Sequence, residues 1–217
     1  MKKIRVISLG DNCFARYIVT KAGIKPTKDD GELSMPFDLA VHFPRYIPWL
    51  IKHHFRGYLK GFVFNAKDNV YTVFVRKHLF GKKHYVAWLN HDTDIQGDIQ
   101  KLQERYIKRI KNFYNALTAN AVFLFVQNVG TPYDAHELID VLDDMVDDYY
   151  LVLLDVTGKM TDMYNRKNVK IIHCPYPHEN YIWYDSEQRN KPDGIKFEND
   201  IVKELQTFYE KIKTDNK

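Results

Sequence analysis

The sequence predicts an α/β protein with a mainly parallel sheet and helices on both of its faces. Three observations lead to this fold class. Segments of strand and helix character alternate along most of the chain, which is the order typical of parallel sheets. Residues 121–126 are continuously apolar, as expected for a central strand covered on both sides. Residues 98–118 have one apolar face at helical spacing, so this segment is expected to cover the sheet.

The first strand and the first helix are predicted at residues 4–9 and at about 11–22. The helix has apolar residues at helical spacing, and Gly23 suits its C-terminus. The carboxyl ends of the strands in a parallel sheet are where ligands bind. The turn between these two elements is therefore expected to lie at a binding edge.

Residues 34–53 contain three prolines and a single carboxylate, Asp38. Asp38 is interpreted either as the cap of a helix at about 39–53 or as a partner for a catalytic base. Pro44 and Pro48 are expected to make that helix short or broken.

Residues 57–89 follow a different pattern from the rest of the chain. Apolar residues alternate with polar ones on either side of Asp68-Asn69, which predicts an antiparallel hairpin inserted into the α/β plan.

After the hairpin, strands and helices alternate again, and the complete order predicts a three-layer Rossmann- or flavodoxin-like arrangement. These elements are a helix at 134–146, strands at 150–155 and 169–174, and a helix at 197–212.

Length and composition narrow the class of protein. The 217 residues suit a single domain, 1–217, because no stretch has the composition of a linker. The net charge of +4 is low for a nucleic-acid-binding protein, so no nucleic-acid partner is expected. No apolar run approaches the length of a membrane span, and the N-terminus lacks the apolar region of a signal peptide. A cytoplasmic location is therefore expected, while the oligomeric state is left open.

Cys13 is the first candidate for chemistry. It follows the Gly10-Asp11-Asn12 turn and opens the first helix. Unpaired N–H groups and the helix dipole at such a position favour a thiolate, which is the reactive form of cysteine. The alternative is a small buried residue that happens to follow a turn. The other cysteine, Cys174, is interpreted as a buried structural thiol.

A cysteine nucleophile needs a base and a group that orients the base. His91 is the best-placed candidate, because it ends an apolar segment and begins a polar loop. His173 and His178 are alternatives near the end of a predicted strand. Arg105 and Arg109 lie one helical turn apart and are expected either to bind an anionic group or to be solvated.

Several motifs together resemble the family described as putative papain-like cysteine peptidases. Its members typically have Ser-Leu-Gly-x-x-Cys, then Pro-Phe-Asp-Trp, then His-Asp before a helix with Tyr-x-x-Arg, and a Trp-x-Asp element near the C-terminus. The matching residues here are Ser8-Leu9-Gly10, Cys13, Pro36-Phe37-Asp38, His91-Asp92, Tyr106, Arg109 and Trp183-Tyr184-Asp185. The chain departs from the pattern at Leu39, where Trp is usual, and at Gln127, where Arg is common.

The resemblance implies a catalytic site made of Cys13 as nucleophile, His91 as base and a carboxylate as orienter. Asp38 is preferred to Asp92 for the third role, because neighbouring residues in a loop seldom point at each other. Other residues are expected to bind substrate, namely Asp11, Asn12, Asp92, Arg105, Arg109 and Trp183. Neither a metal nor a cofactor is expected for this chemistry.

Three functions compete at this point. The first is a cysteine-dependent hydrolase of the papain-like peptidase kind. The second is a thiol-assisted acyltransferase for a glycan or small molecule, with Arg105 and Arg109 binding the phosphates of coenzyme A. The third is a non-catalytic module that binds a glycan or a peptide through exposed aromatic residues. The expected partner is accordingly a peptide, a glycan or a small molecule.

Overall fold

The protein contains a parallel sheet with helices and, separately, an antiparallel sheet. A computed structural model describes residues 2–77, 81–95, 97–130, 135–160 and 166–217. Its strands are β1 (Lys3–Ser8), β2 (Val41–His42), β3 (Phe62–Asn65), β4 (Val70–Arg76), β5 (Lys83–Leu89), β6 (Ala121–Val129), β7 (Tyr149–Asp155) and β8 (Val169–His173). Its α-helices are α1 (Phe14–Lys21), α2 (Ile47–Lys52), α3 (Ile99–Leu117), α4 (His136–Met145), α5 (Ser186–Arg189) and α6 (Pro192–Asp215).

The parallel sheet has four strands in the order β1-β6-β7-β8, and every neighbouring pair is parallel. Successive side chains of a strand point to opposite faces. Val6 and Leu124 accordingly belong to an apolar cluster shared with α1 and α6, while Ile7 and Phe125 belong to another shared with α2, α3 and α4. Helices therefore pack on both faces of the sheet, and the carboxyl ends of all four strands lie along one edge.

The predicted hairpin belongs to a larger antiparallel sheet with the strand order β2-β5-β4-β3. Strands β3 and β4 form the hairpin, and Asn69 takes a positive φ of 49° in its turn. An asparagine tolerates this left-handed conformation better than most residues. Strand β2 lies outside the predicted insertion at 57–89 and pairs with β5 through Val41 and Trp88. The antiparallel unit therefore begins earlier in the chain than its sequence pattern indicates.

The predicted helix at 39–53 is wrong in its first half. Val41–His42 is a strand, a single 3-10 turn spans Pro44–Tyr46, and the α-helix begins only at Ile47. Asp38 therefore does not cap a helix. Its carboxylate accepts a hydrogen bond from the backbone N–H of Met35 at 2.8 Å and so stabilises the turn before β2.

Helix α3 closely follows its sequence pattern. Asp98 caps it by accepting from the Lys101 N–H at 3.0 Å, as expected for an aspartate at this position. Leu102, Tyr106 and Phe113 are fully buried, whereas Ile99 in the first turn is 39 % exposed. The helix predicted at 134–146 is α4, and its proposed first residue, Asp134, lies outside the described residues.

The outer edge of β1 is covered at one point by a buried lysine. Lys25 Nζ donates to the Val6 carbonyl oxygen at 2.6 Å and to Glu32 Oε1 at 2.9 Å. The side chain of Lys25 is fully buried, so these two bonds satisfy a cation that has no contact with water.

Among the described helices, none combines the length and the apolar character that crossing a membrane requires.

Candidate functional site

The thiol of Cys13 and the imidazole of His91 lie in contact. The distance between Cys13 Sγ and His91 Nε2 is 3.1 Å, which is within hydrogen-bond reach for a nucleophile and its base. His91 follows β5 and is exposed, while Cys13 is half-buried at the start of α1. The two sheets of the protein therefore each supply one member of this pair.

The turn that carries Cys13 is held by two asparagines. Asn12 Oδ1 accepts from the Phe14 N–H at 2.8 Å and from Asn128 Nδ2 at 3.2 Å. Asn128 lies on the neighbouring strand β6, so these bonds fix the start of α1 to the sheet. Gly10 is required in this turn, because a Cβ at its position would lie 2.0 Å from the Asn12 carbonyl oxygen.

Burial dominates the ionisation of the Cys13 thiol. It raises the pKa of the thiol above that of an ordinary cysteine, and the residue's own backbone N–H partly opposes the rise. The helix start is expected to favour the thiolate, but burial of the thiol outweighs this effect. Because the neutral thiol is favoured, nucleophilic attack by Cys13 depends on a base that removes its proton.

Asp38 lies beneath this turn, in contact with the end of β1. Its carboxylate hydrogen-bonds the hydroxyl of Ser8 and the backbone N–H of Met35. Both Asp38 and Ser8 are buried, and burial raises the pKa of Asp38. In the part of the chain that the structure describes, Asp38 makes no hydrogen bond to His91. The Pro-Phe-Asp and Ser-Leu-Gly motifs thus contact each other instead.

Asp92 anchors the loop that carries His91. Its buried carboxylate accepts from Arg105 Nη1 at 2.8 Å, from the Tyr106 hydroxyl at 3.1 Å and from Arg109 Nη1 at 3.3 Å. All three donors project from α3. The His-Asp motif is therefore tied to the Tyr-x-x-Arg helix, and Asp92 faces α3 while His91 faces the thiol.

The two arginines expected to bind an anionic group are already paired within the protein. Arg105 also forms a two-bond contact with Asp94, at 2.9 and 2.7 Å, and this guanidinium lowers the pKa of Asp94 to about 2. Arg109 is buried, and its guanidinium lies 4.7 Å from the centroid of the Tyr106 ring. Both side chains hold the His91 loop in place, so binding of substrate phosphates by them stays a prediction.

Asp11 lies at the carboxyl end of β1 with a strongly perturbed carboxyl group. Burial raises its pKa to about 6, although the Gly130 N–H, which donates to Asp11 Oδ2 at 3.2 Å, opposes the rise. A carboxyl group with such a pKa exchanges protons near neutrality. Contact of Asp11 with a substrate stays a prediction.

Asp11→Asn is expected to stabilise the protein above pH 6 and to have little effect below pH 4. The folded carboxyl binds its proton up to about pH 6, against an ordinary value of 3.8, so the wild type loses stability as the pH rises through this interval. The loss amounts to at most about 3 kcal/mol. Urea unfolding at pH 4 and pH 7 measures it, with exposed Asp29→Asn as the control. An equal response of both variants to pH would contradict the assignment.

The other residues singled out by the sequence have partners of their own. Trp183 packs on Phe14 and Tyr17, with ring centroids 5.2 and 6.0 Å apart, so its contact with substrate stays a prediction. His173 Nδ1 lies 3.0 Å from Asp155 Oδ2, and the ring of His178 packs on Tyr181. Cys174 is buried, as predicted. Of the three candidate bases, His91 is therefore the one placed against the thiol.

Sequence reasoning missed Asn128 and Gly130, which hold the turn from β6. Their only signal is that two polar or small residues end a long apolar strand. Within the described part of the chain, no three His, Cys, Asp or Glu side chains are grouped as metal ligands would be.

Residues 4–150 match the sequence model of a family described as "Putative papain-like cysteine peptidase (DUF1796)". The matched region contains both members of the Cys13–His91 pair together with Asp38, Asp92 and the helix α3. No significant match was found among curated proteins or among solved structures.

Proposed function

The chain belongs to the family described as "Putative papain-like cysteine peptidase", and from this membership we propose that it is a cysteine-dependent hydrolase. The observation that carries the proposal is the 3.1 Å contact between Cys13 Sγ and His91 Nε2. The reaction class is transfer of an acyl group to the thiol and then to water. A peptide bond is the substrate that the family description suggests.

In the first half of the reaction, His91 Nε2 takes the proton of Cys13 Sγ as the sulfur attacks the carbonyl carbon of the substrate. A carbon–sulfur bond forms, and the carbonyl oxygen takes the negative charge. The protonated imidazole then gives its proton to the leaving group as the scissile bond breaks. In the second half, His91 takes a proton from a water molecule as the water oxygen attacks the thioester carbonyl. The carbon–sulfur bond then breaks, and the imidazolium returns the proton to the departing sulfur, which releases the acid and restores the thiol.

Backbone N–H groups at the start of α1 are the proposed donors to the oxyanion. The Phe14 N–H is occupied by Asn12 Oδ1. The Cys13 N–H lowers the pKa of its own thiol and so stabilises negative charge beside the attacking sulfur. We therefore assign the Cys13 N–H as the principal donor.

Asp38 and Asp92 are proposed as positioning residues, each on one side of the pair. Asp38 fixes the end of β1 through Ser8, and Asp92 fixes the His91 loop through α3. Neither contact is to the imidazole. This assignment gives Asp38 a role behind the nucleophile in place of the role of orienter that the resemblance implies.

The acyltransferase alternative has less support, because Arg105 and Arg109 are paired with carboxylates of the protein itself.

The proposal also includes a cytoplasmic location, which suits the two free cysteines. It takes residues 1–217 as one domain with Rossmann- or flavodoxin-like layering, which the helices on both faces of the parallel sheet support.

Reaction with an activated ester such as p-nitrophenyl acetate tests the proposal. The expected result is a burst of one equivalent of p-nitrophenol per chain, with the acetyl group located on Cys13 by peptide mass spectrometry. Cys13→Ala is expected to abolish the burst, and Cys174→Ala, which removes the buried thiol, is expected to retain it. An acetyl group absent from Cys13, or a burst that survives in Cys13→Ala, would overturn the proposal.

A further inference from the structure

Positive charge is concentrated in the antiparallel sheet and the segments between its strands. Residues 41–89 contain nine Lys and Arg and a single carboxylate, Asp68, which gives this part a net charge of +8. The chain as a whole carries +4, so the remaining residues carry −4. Such asymmetry between parts of a chain is typical of proteins that bind polyanions.

One face of this sheet exposes apolar and aromatic side chains. Tyr71, Val73 and Val75 of β4 point into the core, so Thr72, Phe74 and Arg76 point outward. Phe74 pairs with Tyr85 across the strands, and their ring centroids lie 5.5 Å apart.

Trp88 of β5 and Thr72 of β4 form the next outward-facing pair, and Trp88 is 42 % exposed. Val63 of β3 pairs with Thr72 on its other side and is 49 % exposed. Together, the outward side chains of β3, β4 and β5 form a surface that we call the aromatic face. It consists of Val63, Thr72, Phe74, Tyr85 and Trp88.

Basic side chains border the aromatic face on one side. A cavity of about 650 Å³ is shared by Val63 and Phe74 with basic side chains, and no Asp or Glu lines it. The basic side chains are His53, Arg56, Lys60, Arg76, Lys77 and Lys83. Across the described residues, none of these six groups forms an ion pair with a carboxylate. The charge of the five Lys and Arg side chains among them is therefore available to an external anion.

We propose that the aromatic face and its bordering cations bind single-stranded nucleic acid. Unpaired bases stack on exposed aromatic rings, and a basic groove beside them tracks the phosphates. A sheet face with rings from adjacent strands suits successive bases of a nucleic-acid strand. The whole-chain charge, on which the expectation of no nucleic-acid partner rested, conceals this local excess. The inference is independent of the chemistry at Cys13.

Fluorescence anisotropy with a labelled oligothymidylate of about 12 nucleotides, within the usual size of such sites, tests the proposal. The expected result is saturable binding whose affinity falls with salt by about 0.7 logarithmic units per phosphate contact and per tenfold rise in salt. Cys13→Ala is expected to bind equally well, which separates this test from that of the hydrolase. Failure of the wild type to bind at low salt would overturn the proposal.

Two variants separate stacking from charge. Trp88→Ala is expected to weaken binding by between about fivefold and a hundredfold through loss of stacking. The double variant Arg76→Ala with Lys83→Ala is expected to lower the salt slope by about 1.4. Lys203→Ala with Lys211→Ala, which removes two exposed cations from α6, is the matched control and is expected to bind as the wild type does.

The competing ligand is an acidic polysaccharide or another polyanion without bases. Heparin or polyphosphate that binds as tightly as the oligonucleotide, with Trp88→Ala having no effect on either, would overturn the proposal in favour of a general polyanion surface. Equal affinity for a duplex of the same length would overturn it as well. Circular dichroism of each variant checks that the fold is retained.

Discussion

Replacement of His91 by alanine is expected to slow acylation of Cys13 at pH 7 by about 10²- to 10⁴-fold, the usual contribution of a general base. Burial raises the pKa of the thiol, so without the imidazole very little thiolate is present at neutral pH. The residual rate should rise with pH until the thiol itself titrates, above the range of an ordinary cysteine. The rate of burst formation with the activated ester, measured from pH 6 to pH 10, gives both effects.

His178→Ala is the matched control for this experiment. It removes an exposed imidazole that packs on Tyr181 and does not contact the thiol, so its burst rate should equal that of the wild type. A His91→Ala variant that keeps the wild-type rate at pH 7, or that shows the same pH profile, would show that another group takes the proton.

Asp92→Asn is expected to destabilise the protein by about 3–5 kcal/mol, the usual cost of breaking a buried ion pair. The carboxylate is fully buried, and removal of its charge leaves the buried Arg109 without a carboxylate partner. Arg105 keeps Asp94 and is affected less. The free energy of unfolding in guanidinium chloride measures the loss, and the burst rate should fall in the same variant because the His91 loop loses its anchor.

Tyr106→Phe provides the graded comparison. It removes a single hydrogen bond to Asp92, at 3.1 Å, and is expected to cost about 1.5–3 kcal/mol as a bond to a charged group. If Asp92→Asn cost less than Tyr106→Phe, the carboxylate would not be the centre of this network.

The parts of the fold that the sequence predicts well are those whose signal is local. Helix α3 and strand β6 each have an unbroken periodicity or apolar run, and both lie within a few residues of their predicted bounds. Strand β2 has no such local signal, because it has only two residues and its partner β5 lies more than forty positions away. The order of strands in the parallel sheet also depends on contacts between distant segments, which no local pattern contains.

In the candidate site as well, features with a local sequence signal can be predicted and contacts between distant segments cannot. The turn at Cys13 and the strand end at His91 are visible in the sequence, and the contact between them is observed, while their catalytic roles stay predictions. The partners of Asp92 are not visible in this way. A helical pattern places Arg109 on a polar face, and only the carboxylate seventeen positions earlier explains why its guanidinium is buried.

The lysine at the edge of β1 has a consequence for how copies of this protein meet. An edge strand offers unpaired N–H and C=O groups to any passing chain, and proteins often guard such edges with charged side chains, lysine especially. Lys25 occupies the Val6 carbonyl and places a cation where an incoming strand would have to lie. An incoming strand could pair with this carbonyl only by displacing a buried ammonium from its hydrogen bond, so strand-to-strand aggregation is opposed at this point of the edge.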